Sequence, residues 1–149
     1  MQVQNALRYY RKFSAAHSYI VGFNHGHMIY YIETDKIMPR WLYMKPASKG
    51  HDEKLQMNLK AKHKQELIKK GAKVLCSETE FLKENEKIRN KGFTFEKLIH
   101  DMHNTNWERD NIPFHMQGDI NINGIETQIK FENAQIVTVK TLHKLQKAK

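Results

Sequence analysis

Apolar and polar residues alternate with the two-residue period of a β-strand from Ile120 to Phe131, interrupted only by Asn123-Gly124. Asn-Gly takes up the positive φ angles of a type I′ turn, so the pattern predicts a hairpin over 113–133 whose register is set by its turn. Ile122 then faces Ile125, Asn121 faces Glu126, Ile120 faces Thr127, Asp119 faces Gln128, and Gln117 faces Lys130. One face carries Ile120, Ile122, Ile125, Thr127, Ile129 and Phe131. The other carries Gln117, Asp119, Asn121, Glu126, Gln128 and Lys130.

The period changes elsewhere. Phe95, Leu98, Ile99 and Met102 recur at i, i+3, i+4 and i+7, which predicts an amphipathic helix over about 93–102 with Glu96, His100 and His103 along its flank. Ser77 and Glu80 form a capping box for a helix over 78–89, and Asn90-Lys91-Gly92 breaks it. Thr138 caps a last helix running to about Lys147, with Val139, Leu142 and Leu145 inward. Another helix is predicted over 55–70, with Leu55, Leu59, Leu67 and Ile68 inward and Gly71 as its C-terminal cap.

Strands are predicted at 19–23 and 28–33, joined by Asn24-His25-Gly26-His27, at 40–45, and at 72–76 as a short buried element. Residues 46–54 read as an exposed loop, and Asn133-Ala134-Gln135-Ile136 as a turn. The segment 6–18 reads as a short basic, aromatic helix or an irregular arm. His25 and His27 have no third ligand in view, which leaves them as turn residues rather than a metal pair. Cys76, with no base nearby in sequence, reads as a packing residue.

Composition narrows the class. The chain has 149 residues, 40% hydrophobic and 28% charged, which suits a single globular domain over 1–149. No run of about 18 apolar residues exists, so no membrane partner is expected. The first 13 residues lack a signal-peptide core, and a single cysteine suits a reducing, cytoplasmic setting. The net charge of +9 changes the picture most, because releasing counterions from phosphates makes a basic protein a partner for nucleic acid. Arg8, Arg11 and Lys12 are interleaved with Tyr9, Tyr10 and Phe13, a composition that grips phosphates and stacks bases. Lys45 and Lys49 near the 46–54 loop, and Lys140 and Lys144 on the last helix, are further candidate phosphate contacts.

The order helix with Glu96, strand with Asp119, tight turn, strand with Gln128-Ile129-Lys130, and helix resembles the core of the PD-(D/E)XK nuclease superfamily. The resemblance covers roughly 92–149, with 1–91 supplying further strands and helices. It implies an α+β (α/β) chain with a restriction-endonuclease-like core, a central mixed β-sheet flanked by helices. It also implies that Asp119, Glu96, Gln128 and the Ile129 carbonyl hold Mg²⁺ or Mn²⁺ and that Lys130 assists the attacking water. Two positions depart from the family pattern: Gly118 replaces a proline, and Gln128 stands where a glutamate is usual. An amide oxygen can ligate a hard cation but brings no charge to it. The chain also looks like small uncharacterised proteins of bacterial mobile elements.

Two main readings follow. The first is a metal-dependent nuclease that hydrolyses DNA, duplex or branched, from a phage or other mobile element, and dimeric if it cuts both strands. The second is a catalytically silent nucleic-acid-binding or inhibitor protein on the same scaffold, motivated by Gln128. A protein-binding module using the aromatic N-terminal half is a third.

Overall fold

The computed structural model describes residues 1–14, 18–107 and 119–147. The predicted elements at 108–118, including Gln117 and the first part of the 113–133 hairpin, lie outside those residues.

The centre of the fold is a hairpin, β1 (Ser18–His25) and β2 (Met28–Thr34), closed by Gly26 and His27 at φ 57° and 61°. Both turn residues are left-handed, as a type I′ turn requires. On the far side of β1 lies β7 (Ile125–Phe131), paired parallel in the register Ser18↔Thr127 to Gly22↔Phe131. The Asn123-Gly124 hairpin joins β7 to β6 (Ile120–Ile122) in the expected register, Ile122↔Ile125 through Ile120↔Thr127. With β5 (Lys73–Ser77) against β2, the sheet order is β5-β2-β1-β7-β6, and it is mixed. A second, antiparallel sheet has the order β3 (Leu42–Lys45), β4 (Lys54–Met57), β8 (Gln135–Thr138). The chain is α+β, with helices on both sides of the larger sheet.

Because side chains alternate across β1, its two faces feed two cores. Ile20 joins Ile29, Phe81, Phe95, Ile99, Ile120, Ile129 and Phe131 beneath α3 (Glu78–Ile88) and α4 (Lys91–Met102). Tyr19, Val21 and Phe23 face the other way. They meet Ala6, Leu7 and Tyr10 of α1 (Val3–Phe13), Leu67 of α2 (Ala61–Lys69), Leu42, Leu55 and Met57 of the small sheet, and Leu142 of α5 (Val139–Lys147). Phe131 stacks on Phe81 at 5.2 Å and sits 5.0 Å from Phe95, fastening α3 and α4 to β7.

Several local expectations hold. Ser77 Oγ accepts the Glu80 amide at 3.2 Å, Thr138 Oγ1 accepts the Thr141 amide at 3.1 Å, and Gly71 ends α2 at φ 109°. Among the described residues, no helix is long and apolar enough to cross a membrane.

Others are corrected. The helix expected over 55–70 begins only at Ala61, because Lys54–Met57 is the central strand of the small sheet. Leu55 and Met57, two residues apart and fully buried, follow the strand period; Leu55 and Leu59 merely happen to match a helical spacing. The turn expected at 133–136 is shorter and earlier: the chain bends at Glu132, at φ 44°, and Asn133, while Gln135 and Ile136 already belong to β8, with Ile136 and Val137 buried. The strand at 72–76 is shifted to Lys73–Ser77 and lies on the sheet edge, with Val74 exposed. The strand at 40–45 starts at Leu42, after one 3-10 turn at Pro39–Trp41. Asn90 caps α4 by accepting the Phe93 amide at 2.9 Å, which starts that helix two residues earlier than expected. The N-terminal segment is helical from Val3 to Phe13.

Candidate functional site

A cleft of about 480 Å³ opens between the start of α4, the head of β6 and the C-terminal end of β7. Glu96, Asp119, Ile129 and Lys130 all line it, together with Asn90, Lys91, Gly92 and Phe93 from the first turn of α4 and the 131–134 segment after β7.

Each chemical group arrives there for a local reason. Phe95 and Ile99 are fully buried beneath the sheet, which turns the neighbouring Glu96 along the helix flank to the cleft. Asp119 immediately precedes β6, and its Oδ2 accepts the Ile129 backbone amide at 2.8 Å. The carboxylate therefore takes a β7 donor that a neighbouring strand would otherwise pair. Its main-chain oxygen accepts from His100 Nε2 at 2.9 Å. The Ile129 side chain is buried in the α4-facing core, and its amide is held by Asp119 at the cleft.

Lys130 is half-buried on the opposite face of β7 from Ile129. Burial pushes its ammonium below the ordinary lysine value, and the nearby Asp119 and Glu96 carboxylates pull it back up. One cation on β7 thus stands in the field of two anions, one from α4 and one from the residue before β6.

Gln128 is placed differently. It is half-buried, does not line the cleft, and its Oε1 accepts the hydroxyl of Tyr10. Burial raises the Tyr10 pKa, with Tyr19 the next contribution and Asp119 a smaller one. The structure therefore brings Glu96, Asp119, Ile129 and Lys130 together and hands Gln128 to α1. Among the described residues, no group of three or more His, Cys, Asp or Glu side chains could hold a metal ion.

The candidate phosphate contacts Arg8, Arg11, Lys12, Lys45, Lys49, Lys140 and Lys144 are all exposed. Five of them lie on α1 and α5, which pack against each other. Arg11 also donates to the Ile37 carbonyl at 3.0 Å. His27 meets Glu78 at 3.4 Å, and hydrogen bonds from Asn24 and His27 hold the Glu78 carboxyl below its ordinary range. Burial, with Glu80 nearby, raises the half-buried Cys76 thiol, consistent with packing rather than nucleophilic use.

Three groups at or beside the site have no role in the motif reading: Lys91 at the cleft mouth, His100 beneath Asp119, and Tyr10 on Gln128. His100 was detectable as a residue one turn beyond Glu96. Tyr10 and Lys91 carry no such signal, since a fold contact and a helix N-terminus bring them in. Comparison with known proteins finds no matching family model, no matching curated protein and no matching solved structure.

Proposed function

We propose that this protein is a metal-dependent nuclease with a PD-(D/E)XK-like site, acting on DNA. The observation that carries the reading is the convergence of Glu96 of α4, Asp119 just before β6, and Lys130 of β7 on one cleft. Two carboxylates and a main-chain carbonyl are hard oxygen donors, a set that fits Mg²⁺ or Mn²⁺, which commonly keeps waters and uses only one or two carboxylates alongside substrate phosphate. Glu96, Asp119 and the Ile129 carbonyl would hold the ion; Gln128 would not need to. Such an ion, when bound, polarises a phosphodiester and acidifies water.

The chain's own groups do the rest. Asp119 Oδ2 is committed to the Ile129 amide, so Oδ1 is the oxygen that would meet a cation. Lys130, with its depressed pKa, orients the attacking water and steadies charge on the phosphate. The exposed cations on α1 and α5 supply the backbone attraction, in keeping with the net charge of +9. A cytoplasmic phage or mobile-element setting fits these properties, and a homodimer would account for cutting both strands.

The test is incubation with plasmid, single-stranded and branched DNA in Mg²⁺ or Mn²⁺. Cleavage above that of an Asp119→Ala/Lys130→Ala variant is expected; equal rates would sink the reading.

One observation favours a second reading, a silent nucleic-acid-binding or inhibitor protein: the Gln128 oxygen accepts the Tyr10 hydroxyl and lies outside the cleft. That reading expects salt-dependent DNA binding indifferent to divalent metal. Mn²⁺ binding that disappears in Asp119→Ala would contradict it.

A further inference from the structure

His100 is the most buried histidine close to the cleft, 6% exposed, yet it lines no part of it. Its Nδ1 lies 2.7 Å from Thr105 Oγ1 and its Nε2 2.9 Å from the main-chain oxygen of Asp119. A carbonyl only accepts, so the Nε2 proton points at Asp119. Thr105 Oγ1 is the partner of Nδ1 and also donates to the main-chain oxygen of His100 at 3.3 Å, so the ring is held on both sides.

This geometry ties two carboxylates to one rigid element. Glu96 and His100 are one turn apart on α4, about 6 Å along its axis. Glu96 reaches the cleft directly, while His100 holds the backbone of the residue that supplies the other acid. Asp119 is thereby clamped twice, at its carboxylate by the Ile129 amide and at its carbonyl by His100. We infer that His100 is a positioning residue that sets the distance between Glu96 and Asp119, with Thr105 fixing the orientation of its ring. A histidine serving only to finish the helix would need Thr105 alone; the second contact, made across the sheet interface to the acid's own main chain, is the one this role requires. Outer partners of this kind typically alter metal affinity 10–100-fold when removed.

The inference rests on the proposed metal site, and the experiment separates the two. Mn²⁺ binding is measured by titration calorimetry on the full chain, with thermal melting on the same samples. Wild type is compared with Asp119→Ala, His100→Leu, His100→Gln and Thr105→Val. Leucine removes both ring nitrogens and should weaken Mn²⁺ binding about tenfold or more. Glutamine can still donate to the Asp119 carbonyl and should recover most of the affinity, a rescue that loss of packing alone would not produce. Thr105→Val leaves the imidazole but frees its orientation, and should fall between.

A folded His100→Leu protein that binds Mn²⁺ like wild type overturns the inference while leaving the metal site standing. If His100→Leu fails to fold, wild-type affinity in Thr105→Val together with a full loss in His100→Gln overturns it equally. No Mn²⁺ heat from wild type sinks the metal reading itself, and the positioning role falls with it.

Discussion

The hydroxyl of Tyr10 donates a hydrogen bond to Oε1 of Gln128, joining α1 to β7, the strand parallel to β1, across 118 residues of sequence. The amide is thus fitted to a buried phenol rather than left as a bare remnant of a carboxylate. Tyr10→Phe leaves a half-buried amide oxygen without this donor and should cost about 1–2 kcal/mol in urea denaturation. Gln128→Glu keeps an acceptor for Tyr10 and adds a negative charge near Asp119. Because position 128 faces α1 and not the cleft, that charge would act on a bound ion only through space and should tighten Mn²⁺ binding by less than about tenfold. Unchanged calorimetric affinity would mean that position 128 faces α1 in function as well as in geometry.

Asp119 has two jobs that different substitutions separate. Asp119→Asn retains an oxygen for the Ile129 amide, whereas Asp119→Ala leaves that donor without its partner. The alanine variant should lose about 1–3 kcal/mol of stability and the asparagine variant much less. Both should lose metal-dependent cleavage. Equal stabilities in chemical denaturation would show that the Asp119–Ile129 bond contributes nothing to the fold.

Lys130 gives the site a pH signature. Its folded-state pKa lies below the ordinary 10.5, so between the two values the unfolded chain holds more protons and stability rises with pH. Below the folded value both states are protonated, and the full cost of burying the ammonium is present. Lys130→Met removes that cost, so the melting temperature of the variant minus that of wild type should be largest near about pH 6 and shrink towards about pH 10. A difference independent of pH would show that the amine is solvated like a surface lysine.

Gly22 is where β1 meets α4. A Cβ placed there would lie 2.1–2.6 Å from ring atoms of Phe95, a side chain with no exposure. Gly22→Ala should therefore destabilise the protein by about 1–3 kcal/mol, the usual range for overpacking. Phe95→Leu in the same chain should recover part of the loss. Since the displaced helix carries Glu96 and His100, Mn²⁺ affinity should fall with stability in the single variant and recover with it in the double. Additive effects of the two substitutions would refute a direct clash.

Much of the scaffold was legible because its signals are local. The Asn123-Gly124 turn, the Ser77, Thr138 and Gly71 caps, and the alternation through β7 depend on a residue and its near neighbours. The placement of β4 was not, because Leu55-Gln56-Met57 is too short to distinguish strand from helix without its partners β3 and β8. The edge position of β5 was hidden for the same reason. A strand's burial depends on how many neighbours it has, and its own residues do not state that.

For the site, the residues by themselves determined that Asp119, Gln128 and Lys130 share a hairpin and that Glu96 lies on the flank of an amphipathic helix. Only the tertiary structure decided that Glu96, Asp119 and Lys130 meet in one cleft, that His100 holds Asp119 from below, and that Gln128 answers to Tyr10. The physical reason is range. Turn angles, caps and periodicity are properties of a few consecutive residues, whereas the cleft is made by the packing of α4 on a sheet whose parallel β1–β7 pair joins the two ends of the chain.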